Sequence, residues 1–365
     1  MIEKRIESIR EKIAKKGLDG LMVSVEENRR YLSGFTGEDG QFDETAGVLF
    51  ITPDRLLLAT DSRYGLQAEN EAPLFEVLEY PKGLAREFPE IVKKLGAGRL
   101  GFESVRMSVF LLSELEKKLE EARVSARMIP MEGMAESLRV IKSEDEIEKI
   151  KKSLACAEAA FPKTRALLSP GTSEQEAAWL MEKAMRESGA DSLSFPVIAA
   201  AGANSALPHA IPGREKIGKG RPLLFDWGAR VDGYCSDISR TVFMSGADDL
   251  FKRVYRTVYE AQRRAVSAIR PGVSGREVDA AARGFIEDSE FKGRFGHGLG
   301  HGVGLAVHEE PRISPLKDVI LEPGMVFTVE PGIYIPGRGG VRIENMARVT
   351  EDGVEELNRL EVEAC

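Results

Sequence analysis

The sequence predicts two α/β domains in tandem, the second assembled from a repeated helix-plus-sheet unit. Three observations lead there. At 365 residues the chain exceeds what one hydrophobic core usually supports, since single cores stop growing near about 250 residues. Up to residue 129, short β-rich runs alternate with helical ones, the pattern of an α/β layer. Beyond residue 142 the same helix-start punctuation occurs twice.

Along the first part, Ile2, Ile6, Ile9 and Ile13 share one face of a charged segment ended by Gly17, which predicts an amphipathic surface helix rather than the apolar stretch of a signal peptide. Strands are expected over 21–25, 47–51 and 55–59, and helices over 84–94 and 109–121. The pattern loosens between 131 and 139. Ser143 with Glu146 then forms a capping box opening a long helix that carries Ile147, Ile150 and Leu154. The expected division is a first domain over 1–130, a linker over 131–142 and a second domain over 143–365.

Within the second domain, Pro170-Gly171-Thr172-Ser173 with Glu176 is echoed by Pro271-Gly272-Val273-Ser274 with Glu277. Each turn leads, after roughly fifty to sixty residues, to a β-rich run carrying an acid with glycine two positions on, a period long enough for a supersecondary unit. These runs are Phe225-Asp226-Trp227-Gly228 and Val329-Glu330-Pro331-Gly332, and further acids follow at Asp237 and Glu344. The simplest reading is a duplicated unit related by a pseudo-twofold axis; a chance resemblance of turn motifs is the alternative.

Composition narrows the class. Apolar residues make up 42% and charged residues 30%, as in water-soluble globular proteins. Lys and Arg number 51 against 59 Asp and Glu, and a net charge of -8 disfavours a nucleic-acid backbone as main partner. Cys156, Cys235 and Cys365 form no CxxC pair, which points to a reducing compartment and a cytoplasmic protein. No apolar run reaches the roughly 18 residues that a membrane span needs.

Three of the four histidines, His297, His301 and His308, fall in HGLGHGVGLAVHEEP, and the fourth, His209, in SALPHAIPG. A single histidine is usually a hydrogen-bonded structural residue. Clustering of so rare a residue suggests a site, because imidazole is a common metal ligand and titrates near neutrality. Gly298, Gly300, Gly302 and Gly304 let the backbone approach a ligand closely. The spacing is not that of a phosphate loop, and Arg312 stands where an HExxH helix needs its second histidine. Asp237 and Glu344 lie in runs that read as interior strands, so Asp237 shares a face with Cys235, Ser239 and Thr241, and Glu344 with Arg342 and Met346. Buried charge is costly unless paired or metal-bound. Four such acids beside a histidine cluster suffice for two hard or borderline divalent cations; ion pairs with Arg240 or Arg342 are the structural alternative.

The strings NRRYLSGFTG, TDSRY, SALPHAIP, FDWGARVDGYCSD, HGLGHGVGLAVHEEP, GMVFTVEPGIY and GGVRIEN resemble the Xaa-Pro peptidases, aminopeptidase P and prolidase, across nearly the whole chain. The resemblance implies a mixed-sheet α/β N-terminal domain of the creatinase type and an α+β pita-bread catalytic domain. It implies that Asp226 binds one metal, that Asp237 and Glu344 bridge two, and that His301 and Glu330 complete the second. It also implies that His209, His297 and His308 line the substrate pocket with Tyr334 and Arg342 in support, that the N-terminal domain restricts peptide length, and that the protein is a homodimer. Asn345 departs from the aspartate common in the family.

The chemistry expected of such a ligand set is a metal-activated hydroxide attacking the scissile carbonyl. Glu330 moves the proton to the leaving nitrogen, His308 and His209 steady the carbonyl oxygen, and the substrate N-terminus sits by Asp226. Manganese is the expected metal, with cobalt, zinc and iron as alternatives. The expected activity is release of the N-terminal residue from peptides with proline second, an Xaa-Pro aminopeptidase; the alternative is a prolidase confined to dipeptides. A creatinase-like amidinohydrolase and a non-catalytic binding protein fit less well, because all five ligand positions are intact.

Overall fold

A computed structural model describes residues 2–40 and 44–362, and the chain divides into a unit over Met1–Leu138 and one over Arg139–Cys365. Cys365 lies outside the described residues. The division falls within the segment expected as a linker, and that segment is folded. Its first residue ends strand Arg127–Met131, Met134 and Ala135 are buried, and Glu136–Arg139 is a short helix.

The first unit is a six-stranded mixed sheet in the order Glu76–Glu79, Leu56–Thr60, Val48–Ile51, Gly20–Val23, Arg99–Glu103, Arg127–Met131. Gly20–Val23 pairs antiparallel with Val48–Ile51 and parallel with Arg99–Glu103. Its four residues are all buried, as in a strand covered on both faces. Met22, Phe50, Phe88, Ile91, Leu100 and Leu115 form the core between the sheet and helices Leu84–Leu95 and Val109–Glu121. Helix Ile2–Lys15 buries Ile6, Ile9 and Ile13 on the face that the spacing predicts.

The second unit opens with helix Glu144–Leu167, started by the Ser143 and Glu146 capping box. This helix packs on Glu174–Glu187, and Asp249–Ala268 packs on Gly275–Glu287. Matching turns join the two helices within each pair. Gly171 donates to Ile217 C=O at 3.1 Å and Ile217 donates back to Thr172 C=O at 2.9 Å; Gly272 donates to Leu321 at 2.8 Å and Leu321 back to Val273 at 2.9 Å. Both glycines sit at positive φ, 95° and 81°, where other residues are strained. Ser173 and Ser274 both cap their helices, but only Ser173 closes a box, with Glu176. Ser274 Oγ instead donates to Asp318.

Each half has its own core. Phe161, Met181, Phe225 and Trp227 belong to the first, and Phe251, Val258, Phe327 and Ile343 to the second. The first half contributes the antiparallel sheet Ile238–Phe243, Pro222–Trp227, Ile198–Ala201. The second contributes the order Glu309–Ile313, Gly300–Gly302, Val326–Val329, Asn345–Val349, Val354–Glu356.

The runs through Asp237 and Glu344 are not the continuous strands that the sequence predicts. Tyr234–Cys235 belongs to one sheet and Ile238–Phe243 to another, and Gly339–Arg342 and Asn345–Val349 are divided in the same way. Each acid stands where the chain crosses between sheets, so its amide has no ladder partner. The Asp237 N–H points to Met346 Sδ at 3.4 Å and the Glu344 N–H donates to Ser239 C=O at 3.2 Å, so the two crossing points bond to each other.

Candidate metal centre

Asp226 lies near the end of strand Pro222–Trp227, opposite Ile198 on one side and Ser239 on the other. Its neighbour Trp227 stacks on Phe161 at 5.2 Å and donates its indole N–H to Ala157 C=O at 2.8 Å, which pins this strand end to helix Glu144–Leu167. Glu330 directly follows strand Val326–Val329, and its N–H donates to Leu299 C=O at 2.8 Å. The same pairing sets His301 beside Thr328, whose Oγ accepts the His301 N–H at 3.1 Å.

All five predicted ligands converge. Oxygens of Asp226, Asp237 and Glu344 lie within 4.8 Å of one another, as do ligand atoms of His301, Glu330 and Glu344. His301 Nε2 is 3.3 Å from Glu330 Oε1 and 3.6 Å from Asp237 Oδ2. His308, predicted to line the pocket, also comes within the same reach of Asp237 and His301, its ring edge-on to His301 at 4.3 Å.

Electrostatically the cluster disfavours its own ionisation. Burial, reinforced by Glu344, Asp226 and Glu330, pushes the Asp237 carboxyl well above the usual carboxylate range; burial with Glu330 and Asp226 does the same to Glu344. Burial pushes Glu330 up to about 7, against the pull of Arg342. The histidines shift the other way: burial and His308 lower His301 to about 3, and burial and Arg342 lower His297 to about 4. Asp226 Oδ1 and Asp237 Oδ1 are buried with no hydrogen-bond donor. Unpartnered buried carboxylate oxygens beside a neutral imidazole fit divalent cations.

Arg342 supplies the only ion pair to these acids from a lysine or arginine among the described residues, to Asp226 Oδ2 at 2.6 Å. The ion-pair alternative therefore accounts for one oxygen of one acid. Arg342 also bonds Ser239 Oγ at 2.8 Å and the Tyr334 hydroxyl at 2.9 Å, and that hydroxyl meets His297 Nε2 at 2.8 Å. Arg240 touches none of the four carboxylates; it holds the Glu344 carbonyl at 2.6 Å and Asn345 Oδ1 at 2.9 Å.

A cavity of about 770 Å³ opens over the cluster, lined by Asp226, Asp237, His301, Glu330, Arg342 and Glu344 and by His209, His297 and His308. Sequence reasoning missed its apolar wall, which includes Phe195, Ile198, Ile211 and Leu316, and its cations Arg312 and Lys317. It also missed Thr328, which donates to Glu330 Oε1 at 3.0 Å, and gave no role to Ser239, which donates to Glu344 Oε2 at 2.8 Å. Both hydroxyls stand two residues from an acid, a spacing that could have signalled them. The glycines serve chain packing, since a Cβ on Gly300 would meet Thr328 O at 1.9 Å and one on Gly302 would meet Glu310 O at 2.1 Å, and Gly298 and Gly300 also line the cavity.

A cavity floored by four acids and a histidine, close enough together to hold divalent cations, fits the working end of a metallohydrolase. Residues 148–351 match metallopeptidase family M24, and residues 5–141 match the creatinase/prolidase N-terminal domain. The chain belongs to metallopeptidase family M24, with the creatinase-type first domain and pita-bread second domain expected from its motifs. It is similar to the solved Xaa-Pro dipeptidase from Bacillus anthracis, at 39% identity and a TM-score of 0.92 over 100% of this chain and 99% of that one. It is similar to the Xaa-Pro dipeptidase of Pyrococcus horikoshii, 33% identical over 100% of this chain and 99% of the relative. The solved X-Pro aminopeptidase from Thermotoga maritima shares 36% identity at a TM-score of 0.87, over 98% of each chain. No helix among the described residues is long and apolar enough to cross a membrane.

Proposed function

We propose that this metallopeptidase is an Xaa-Pro dipeptidase that uses two divalent cations held by Asp226, Asp237, His301, Glu330 and Glu344. The dipeptidase reading takes precedence over the aminopeptidase reading that the motifs alone favoured. The observation that carries it is Arg312, which lines the cavity with no ion-pair partner among the described residues and so suits the terminal carboxylate of a dipeptide. The names of the Bacillus anthracis and Pyrococcus relatives support it. The Thermotoga relative keeps the aminopeptidase as second reading.

When bound, the cations lower the pKa of water and polarise the scissile carbonyl. The chain's residues do the rest. Glu330, its Oε1 engaged by Thr328, takes the water's proton and passes it to the leaving proline nitrogen. His301, whose Nδ1 donates to Gly302 C=O at 3.2 Å in the tautomer this contact implies, keeps the Nε2 lone pair free for metal. His209 and His308, exposed on the cavity wall, donate to the developing oxyanion. His297 is held neutral between Tyr334 and Gly298 C=O and closes the side nearest Glu330, 4.0 Å from its Oε2. Manganese is the proposed metal, with cobalt, zinc or iron as substitutes. A homodimer is the proposed assembly. The described cysteines, Cys156 and Cys235, are free, which supports a reducing, cytoplasmic setting.

The test compares Xaa-Pro dipeptides with Xaa-Pro-Yaa peptides, using metal-stripped protein and protein reloaded with Mn, Co or Zn. Metal-dependent cleavage of dipeptides is expected, with tripeptides poor substrates. Arg312→Gln should raise the dipeptide KM by about 10- to 100-fold, the worth of a hydrogen bond to a charged group. Preferential cleavage of the longer peptides would establish the aminopeptidase instead.

A further inference from the structure

Among the glutamates with buried side chains that the proposed reaction does not use, two hold the loops that carry His209 and His308. Glu174, the first residue of helix Glu174–Glu187, is 0% exposed and makes no ion pair among the described residues. Its carboxylate is balanced by donors instead: Oε1 accepts the Ala201 N–H at 2.7 Å and Asn204 Nδ2 at 3.0 Å, and Oε2 accepts the Gly213 N–H at 2.8 Å. Ala201 and Gly213 bracket the loop that carries His209 and Ile211 into the cavity wall. One carboxylate thus clasps both ends of that loop.

Glu309 follows His308 directly. Its Oε2 bonds Arg139, its Oε1 lies 2.8 Å from Lys142 Nζ, and all three side chains are buried. The Ala306 N–H approaches Oε2 at 3.4 Å. Gly304 makes room for the group, since a Cβ there would come within 2.3 Å of Oε1. The segment from Gly304 to Glu309, with His308 on it, is thereby anchored to the start of the second unit.

The two histidines need such anchoring. Both are exposed, and neither ring forms a hydrogen bond among the described residues. Their aim therefore depends on where the main chain holds them. We propose that Glu174 and Glu309 are positioning residues for His209 and His308 respectively, one glutamate per histidine loop. This rests on the reading above in which both histidines face the reacting carbonyl. A shift of about 1 Å in such a group can slow turnover by roughly 100-fold, so loosening either loop should be visible in kcat.

Double-mutant cycles on the metal-loaded protein test the pairing. Glu174→Gln removes one accepting arm and should lower kcat on an Xaa-Pro dipeptide by about tenfold or more, with KM changed far less. In the His209→Ala background the same change should cost less than about twofold; in the His308→Ala background the full loss should remain. Glu309→Gln should show the mirror pattern. Glu174→Asp, which keeps the charge and shortens the reach, serves if Glu174→Gln does not fold. Equal losses in both histidine backgrounds, or no loss in either, overturn the proposal. Hydrogen exchange separates it from the functional reading: Glu174→Gln should raise exchange over residues 201–213 and leave 304–309 unchanged, whatever substrate the protein cleaves. Uniform exchange changes also sink it.

Discussion

The two halves of the second unit share a skeleton and divide the chemistry. Asp226 and Glu330 occupy matching places at strand ends, and Asp237 and Glu344 matching places where the chain crosses between sheets. Two residues before these strand-end acids the halves diverge. The first half has Leu224 opposite Ala200, and the second has Thr328 beside His301. Ala200 and Leu224 join Ile198, Ala210 and Tyr334 in a small apolar cluster, whereas Thr328 and His301 bond each other and Glu330. Duplication thus accounts for the convergence of four acids, and divergence at one cross-strand pair gives the site a polar side and an apolar one.

The largest effect should come from the part that both halves share. Asp237→Ala removes an acid at the crossing point and should lower kcat by on the order of 1000-fold or more, because metal-ion catalysis supplies several kcal/mol. Circular dichroism of the variant should remain that of the parent, since removing one of several mutually repelling buried carboxylates relieves strain in the metal-free fold. Retained activity would falsify the ligand assignment.

Next in size is the diverged pair. Thr328→Val keeps the shape but deletes the hydroxyl between His301 and Glu330, and should weaken metal affinity or turnover by about 10- to 100-fold, the usual loss for a residue that orients ligands. Leu224→Val, the matching change in the first half, should leave turnover within about twofold and lower stability by about 1 kcal/mol for one lost methylene. Equal effects on metal affinity at both places would show that the halves do not divide the work as their contacts suggest.

The site was more legible in the sequence than the way it is built. Histidine scarcity, repeated Pro-Gly turns and the order of the acids identified residues that the fold brings together, because each signal is local in the chain. The sheet crossings at Asp237 and Glu344 were not legible: Tyr234 to Phe243 and Val341 to Val349 read as single β-rich runs, and only pairing with distant strands interrupts them. In the first unit, strands Glu76–Glu79 and Arg127–Met131 escaped for the opposite reason. They are sheet edges: Glu76–Glu79 carries an exposed acid at each end, and Arg127–Met131 contains Pro130, which argues against a strand reading. The clasp of Glu174 on the loop around His209 was invisible because it spans helix, loop and strand.

A smaller and graded effect concerns pH. Asp237, Glu330 and Glu344 have folded pKa values raised above their unfolded ones, so between those values the metal-free folded state holds protons that the unfolded state has released. Stability from this source falls as pH rises. His297 and His301 have depressed values, near 4 and 3, and lose stability as pH falls below about 6.5, so the two groups oppose each other in mild acid. Above about pH 6.5 only the carboxylates act. The metal-free protein should then lose up to about 1.4 kcal/mol per pH unit for each net proton, seen as a falling melting temperature. Metal loading should remove the cluster's share of the slope and release protons, leaving the share of Glu103, which burial pushes up to about 7; a slope that metal leaves unchanged contradicts the acid cluster.

The smallest effect should come from Asn345, where the motif resemblance leads one to expect aspartate. Its Oδ1 accepts from Arg240 at 2.9 Å and its Nδ2 donates to Glu356 Oε1 at 3.0 Å, so the amide bridges a cation and an acid. Asn345→Asp would strengthen the first contact and set two carboxylates against each other at the second. Glu356 is also held by Arg263, which keeps its carboxyl below the usual range against the opposing effect of burial and offers the displaced charge a partner. The gain and the loss should nearly cancel, leaving stability within about 1 kcal/mol and turnover within about twofold. A much larger fall in kcat would mean that Arg240, through the Glu344 carbonyl, transmits the state of Asn345 to the metal site and that the second half is less robust than the first.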